Sequence, residues 1–496
     1  MIYKNRKIVY LGYLRGLVES KSFTGYPFND IETESPTKYE MLLPILFDDK
    51  EFLKTTYAQY GLSKGIQAAE ERYKIKFPLS FEQYSKLPVE TQFNISWSLY
   101  GQDTLHYNFL KYEYKELIKH KINFLVPIPV MNNDLLKVDY TKLKLPKDLL
   151  EYIKAGKAKL FIYQDAEGFF NQHGYAHWFH EFMNFFKLPK GSLIVESANA
   201  RFKKLVNLYR DFYNHKIKFK TLESTEFEDR PWFLTRTKYH PVNRAEHYKK
   251  FFYYLDHKLN LQHDTKLLCL ARRYSAERAV VFTTIQNTPI LRDNTLASLH
   301  NPYGDSKEHC LSLIESTGVS NVKEIKDWLL SNFDFVNGWH VDRDDFDNNW
   351  AEVINDSLQN RTFVNVVMET HQLPTTELFL SEKSYRPMYT ANPFIIFGNP
   401  GTLTKLKKDG YKTFDKFWDE SYDEDVDLSI RLSRLIKTME TIASTPWDII
   451  NSWMEEIEEI LVHNFNNLMS MKRIYNKQSI LYKEIKNEYK GNSNLI

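Results

Sequence analysis

Short apolar runs recur along the chain, each closing on a turn or polar cluster and leading into residues at helical spacing, and this alternation constrains the fold more than any other feature. A run too short for a helix reads as a buried strand, and strands alternating with helices form parallel sheets, because a parallel pair needs a long crossover. The first half supplies such runs at 7–11, 122–126, 159–163 and 192–196, and the second half at 266–270, 279–282, 362–367 and 392–397. Two sets of strands predict two sheets, hence an α/β protein of two lobes. The polar, proline-containing stretch 221–243, with its acidic run 223–229, separates the sets. The expected organisation is a first lobe over 1–243, a second over 244–440 opened by a helix at 245–259, and a C-terminal helical segment over 441–496. In that segment Thr445 and Pro446 suit an N-cap and first turn, and Trp447, Ile450, Met454, Ile457 and Leu461 keep helical spacing. Its apolar face needs a partner, and the first lobe is the expected one.

Composition narrows the function classes. The 66 Lys and Arg against 64 Asp and Glu leave a formal charge of +2, without the strongly basic balance of a dedicated nucleic-acid binder. The two cysteines, Cys269 and Cys310, are too few for a disulfide framework or a thiolate zinc site. No apolar stretch approaches the ~18 residues of a membrane span, and the first residues lack a signal-peptide apolar block, so a cytoplasmic location is expected.

The densest chemistry begins where the strand Phe363-Val364-Asn365-Val366-Val367-Met368 ends on Glu369. Ligands of open α/β sheets sit beyond the carboxyl ends of strands, which places Glu369 beside a donor or substrate; a helix cap or loop ion pair is the alternative. Further on, Ser381 suits the N-cap of a short helix with Glu382 and Lys383 in its first turn. Helix amides there favour an anion, Lys383 and Arg386 add the positive charge a diphosphate needs, and Glu382 suits the two hydroxyls of a ribose. An ordinary capped surface helix explains Ser381 and Glu382 equally well. It gives no reason for the next strand to end in Phe397-Gly398-Asn399-Pro400-Gly401, a loop that brings backbone close to a ligand.

In order and spacing, the run from Glu369 through Ser381-Glu382-Lys383 to Phe397-Gly398 resembles the donor-sugar segment of GT-B glycosyltransferases, notably the α1,3-fucosyltransferases, with Ser381 where these carry Thr. The stretches 379–387, 398–403, 410–414 and 419–423 are similar to glycosyltransferase-like proteins of tailed bacteriophages. Together these matches cover residues 265–440, about a third of the chain. The resemblance implies a GT-B-like fold, two Rossmann-like lobes with a cleft between them and a C-terminal helix crossing back. It implies a glycosyltransferase that moves a sugar from a nucleotide-diphosphate donor to an acceptor hydroxyl, with no metal and no resident cofactor. Arginines in the first strand-to-helix turn of the donor lobe imply diphosphate roles for Arg272, Arg273 and Arg278, which suits the planar fork of guanidinium. Ser381, Glu382, Lys383, Tyr385, Arg386 and Gly398 complete the implied donor site, and Glu369 is implied as catalytic. The bacteriophage resemblance makes a hydroxylated base in double-stranded DNA a candidate acceptor, with a glycan or protein as the competing choice. The basic stretches 203–204 and 216–220 suit a phosphate backbone, although lysine is common throughout.

In the first lobe the strand at 159–163 leads into Asp165 and Glu167, candidate catalytic bases for removing the acceptor proton. His173, His177 and His180 have a spacing open to metal binding or packing, and Tyr175 and Trp178 are candidates for stacking on an acceptor. Glu369 and Glu377 form a Glu-x7-Glu pair seen in retaining GT-B enzymes, but assigning Glu377 to the ribose leaves Ser381-Glu382-Lys383 without a role, so retention or inversion stays open. Asp345-x-Asp347 and the acidic run 423–427 raise the metal-binding Asp-x-Asp motif of GT-A enzymes, yet neither follows a buried strand, and solvated charges or helix caps fit them better. A catalytically inactive binding protein on the same scaffold, or a donor-processing epimerase, stand as alternatives.

Overall fold

A computed structural model describes residues 10–13, 110–119, 121, 124–130, 140–142, 145–164, 172–214, 216–223, 244–260, 264–271, 273–301, 305–338, 354–373 and 377–469. They fall into two compact α/β units, one holding the described residues up to Glu223 and the other those from Arg244 to Met469.

The first unit is built on a six-stranded, wholly parallel sheet of order β2-β1-β3-β4-β5-β6. Its strands are β1 (Tyr10–Tyr13), β2 (Leu110–Glu113), β3 (Phe124–Val130), β4 (Ala158–Gln164), β5 (Leu193–Ser197) and β6 (Lys220–Glu223). Leu160, Phe161 and Ile162 of β4, and every residue of β5, are buried, as expected of strands covered on both faces. Helices α1 (Gln172–Phe185) and α2 (Phe202–Tyr213) pack together beside it. Phe202, Leu205, Val206 and Tyr209 give α2 one buried stripe, and Asn214 ends it in a left-handed turn at φ 52°.

The second unit carries a four-stranded parallel sheet of order β10-β9-β7-β8, with β7 (Thr265–Ala271), β8 (Thr295–Leu299), β9 (Thr362–Met368) and β10 (Phe394–Phe397). Around it lie α3 (Arg244–Leu259), α4 (Ala276–Asn287), α5 (Asp356–Arg361), α6 (Glu382–Tyr389), α7 (Thr402–Lys408), α8 (Leu428–Ser444) and α9 (Trp447–Leu468). The chain places β8 on one side of β7 and then returns to lay β9 on the other. The carboxyl ends of β7 and β9 therefore flank a topological switch point, the crevice where open α/β sheets take ligands.

Two expectations are corrected here. Residues 279–282, read as a strand, lie inside α4, whose N-cap Ser275 accepts from the amide of Arg278. Ala279, Val280, Val281 and Phe282 are all buried, and an apolar run buried all round has no period to separate helix from strand. The helix α9 was expected to cross back to the first lobe. Its apolar face is instead covered within the second unit, by α3 and α6: Phe465 stacks on Phe251 at 4.0 Å and 12°, and Tyr248 and Tyr389 meet the same ring. Residues 471–496 lie outside the described residues.

Candidate active site at the switch point of the second sheet

Glu369 follows β9 directly and is fully buried. One carboxylate oxygen accepts from the Ser381 amide at 3.0 Å and from the Ser384 hydroxyl; the other accepts from the Thr370 amide at 3.1 Å and the Ser381 hydroxyl at 2.7 Å. All four donors belong to the loop after β9 or to the start of α6. Glu369 thus ties the amino end of α6 to the end of β9, and its carboxylate is spent on that anchorage.

With Ser381 held, its hydroxyl oxygen accepts from the Lys383 amide at 3.3 Å, the N-cap expected from sequence. Glu382 is buried and pairs with Lys383, Oε1 to Nζ, at 2.8 Å. Burial pushes the Glu382 carboxyl up, but Lys383 and then Arg386 outweigh it and hold the group below the usual carboxylate range. The Lys383 ammonium is half-buried and also reaches the Ser381 and Thr370 hydroxyls at 3.4 and 3.5 Å.

Across the crevice, Arg278 from α4 is buried. Its guanidinium donates to the carbonyls of Arg273, Met368 and Glu369, each at 2.9 Å. The resemblance implied a diphosphate contact for Arg278; here it staples the loop after β7 to the loop after β9. Arg273, on the first of those loops, is exposed. A second buried arginine, Arg431 of α8, does similar work below, donating to the carbonyls of Tyr422, Gln372 and Gly398 at 2.9, 2.6 and 2.7 Å.

Sequence reasoning missed His371. It sits half-buried on the loop after β9, and burial, followed by the positive charges of Arg278, Lys383 and Arg273, pushes its imidazole down to about 4. At neutral pH it is an uncharged donor or acceptor amid three cations. The signal was present in Glu369-Thr370-His371, but nothing local to those residues shows which cations the fold brings near.

Among the remaining candidates, Tyr385 is buried with its ring 5.9 Å from that of Tyr411, a core position, and Arg386 is half-buried on the same helix. Gly398 follows β10 and lies against Glu369: a Cβ there would lie 2.6 Å from the Thr402 hydroxyl and 3.4 Å from the Glu369 side chain. Glu377 lies half-buried outside any helix. Asp423 is buried and accepts from the Leu403 amide at 2.8 Å at the start of α7, while Asp427 occupies the N-cap position of α8. Arg272, Asp165, Glu167, Asp345, Asp347 and the side chain of His173 lie outside the described residues.

In the first unit His177 meets the Tyr209 hydroxyl at 3.0 Å and His180 meets the Asn184 amide at 3.0 Å, contacts that suit packing. Tyr175 and Trp178, candidates for stacking on an acceptor, are buried in the core instead, Trp178 stacked on Phe182 at 5.0 Å. Among the described residues no group of three or more His, Cys, Asp or Glu side chains is arranged to hold a metal ion, and no helix is long and apolar enough to cross a membrane.

No family model matches the chain, and no curated protein matches it. Solved structures similar to it include an α,α-trehalose-6-phosphate synthase from Burkholderia multivorans, at 12% identity and TM-score 0.34, covering 86% of this chain and 84% of that one. They also include a UDP-forming α,α-trehalose-phosphate synthase from Burkholderia vietnamiensis, at 11% identity and TM-score 0.36 over 83% and 84% of the two chains. A third is a glycosyltransferase from Rickettsia africae, at 13% identity and TM-score 0.34 over 76% and 85%.

Proposed function

We propose that the chain is a GT-B-type glycosyltransferase that binds a nucleotide-diphosphate sugar at the carboxyl edge of the second sheet and transfers the sugar to an acceptor hydroxyl. The observation that carries the reading is the cluster at the switch point, where Lys383 and Arg273 supply positive charge beside the buried carboxylate of Glu382 and the neutral imidazole of His371. In this reading the diphosphate draws the Lys383 ammonium from Glu382, and the carboxylate so released accepts the ribose hydroxyls. The bond from the anomeric carbon to the diphosphate breaks, a bond to the acceptor oxygen forms, and the acceptor proton passes to a carboxylate base, for which Asp165 and Glu167 are the candidates. Lys383 and Arg273 stabilise the charge that develops on the departing diphosphate, and His371 hydrogen-bonds it. Glu369 and Arg278 hold the two lips of the site in position. The sequence resemblance extends the proposal to the acceptor, a hydroxylated base in duplex DNA or a glycan, which an acceptor screen separates.

Thermal stabilisation of the full chain by a panel of nucleoside diphosphates and nucleotide sugars tests this directly, because a ligand that binds the native state raises its apparent stability. A selective shift is expected that disappears in Lys383→Ala while the unliganded melting temperature is kept. A folded wild-type chain that responds to no member of the panel refutes the proposal.

A further inference from the structure

A cavity of about 580 Å³ opens in the first unit, where the amino ends of β5 and β6 meet α2. Its charged lining is of one sign: Lys190, Lys203, Arg210, Lys216 and Lys218, with no acidic residue. That is a marked segregation in a chain with 66 basic and 64 acidic residues. The positions of these side chains are set by the fold. The left-handed turn at Asn214 returns the chain along α2, and the Gly191 amide donates to the Lys218 carbonyl at 2.7 Å, joining the loops that precede β5 and β6. The Lys218 ammonium is itself oriented by Asn184 at 3.0 Å. Arg210 pairs with Asp211 at 2.8 Å, but that pair is exposed, contributes little, and Asp211 does not line the cavity.

We propose that this cavity binds a compact anion carrying two or more phosphoryl groups. Like charges gathered in a concave surface focus a positive field, which an anionic ligand relieves. Lys203 and Arg210 lie two helical turns apart on α2, about 10 Å, a span too long for one phosphate to bridge and suited to two or three linked ones. The volume is that of a small-molecule site, and Val206 and Phe219 supply an apolar wall for the ligand's body. The cavity lies at the amino edge of its sheet, opposite the carboxyl edge where the chemistry of α/β proteins is carried out, so it anchors or senses a ligand.

Calorimetric titration of the full chain with inorganic tripolyphosphate tests this, run in the Lys383→Ala background so that the donor site does not contribute. One site is expected, weakening about fivefold or more between roughly 50 and 200 mM salt, and losing at least tenfold in affinity in the Lys190→Gln/Lys203→Gln/Lys216→Gln variant. All three lysines are exposed; should the triple variant fold poorly, Lys216→Gln alone is expected to lose several-fold. Absence of tripolyphosphate binding overturns the proposal, as does binding unchanged by the substitutions. Tight binding of a single-stranded oligonucleotide without tripolyphosphate binding overturns it in favour of a nucleic-acid backbone.

Discussion

Replacing Glu369 with Gln keeps the volume of the side chain and changes one acceptor oxygen into a donating amide. Both carboxylate oxygens face a backbone amide, Ser381 on one side and Thr370 on the other, so in either orientation the new NH2 group meets a donor. One buried amide then loses its acceptor, at a cost of about 1–3 kcal/mol, and the remaining bonds lose their charge assistance, worth about 1 kcal/mol more. The sum is about 2–4 kcal/mol, concentrated where α6 begins. Hydrogen exchange of peptides spanning 377–398 in the unliganded chain reads this locally, and faster exchange there by about one and a half to three orders of magnitude is expected, with the first unit unchanged. Because α6 also presents Glu382 and Lys383, the affinity for the donor identified by the stabilisation screen is expected to fall in parallel, and Glu369→Asp, which keeps the charge, is expected to recover part of it. Wild-type exchange over 377–398 in Glu369→Gln would refute the reasoning; wild-type exchange with abolished transfer would show that Glu369 acts on the substrate itself.

Gly398→Ala is expected to destabilise the second unit by about 1–3 kcal/mol, since the new methyl lies 2.6 Å from the Thr402 hydroxyl; denaturant titration checks it, and adding Thr402→Ala is expected to restore part of the loss. Asp423 should make stability depend on pH: burial pushes its carboxyl up to about 7 from 3.8, so its folded form holds the proton longer than its unfolded form. Its contribution is fully present below about pH 4 and lost as pH rises through 7, a change of up to about 4 kcal/mol. Asp423→Asn, which keeps an acceptor for the Leu403 amide, is expected to flatten that dependence, and unfolding free energies measured from pH 4 to 8 that run parallel in the two proteins would contradict it.

The strands β7, β9 and β10 and the N-cap at Ser381 were legible because each depends on residues adjacent in sequence: an apolar run and its ending, or a hydroxyl two residues from the amide it caps. What escaped depends on which segments the topology brings together. Arg278 reads as a basic residue in a strand-to-helix turn, and only the placement of β9 beside β7 shows that its acceptors are the carbonyls of Met368 and Glu369. The same placement explains the missed charge environment of His371. Strand β8 was missed because in Thr295-Leu296-Ala297-Ser298-Leu299 the polar Thr295 and Ser298 interrupt the apolar run, although both are buried. The partner of α9 was misjudged because an apolar stripe announces that it will be covered, never by what.

Arg278 and Arg431 share a property with consequences for how this architecture drifts. Every hydrogen bond described for the two guanidinium groups goes to a main-chain carbonyl: Arg273, Met368 and Glu369 for the first, Tyr422, Gln372 and Gly398 for the second. A carbonyl is present whatever the side chain, so neither arginine constrains the identity of the residues it holds. The loops that frame the crevice can exchange most of their letters and still be clasped in the same shape by two cations at fixed places in α4 and α8. Relatives of this chain should therefore be more readily recognised by those two arginines, set against the ends of two strands, than by any continuous run of shared sequence.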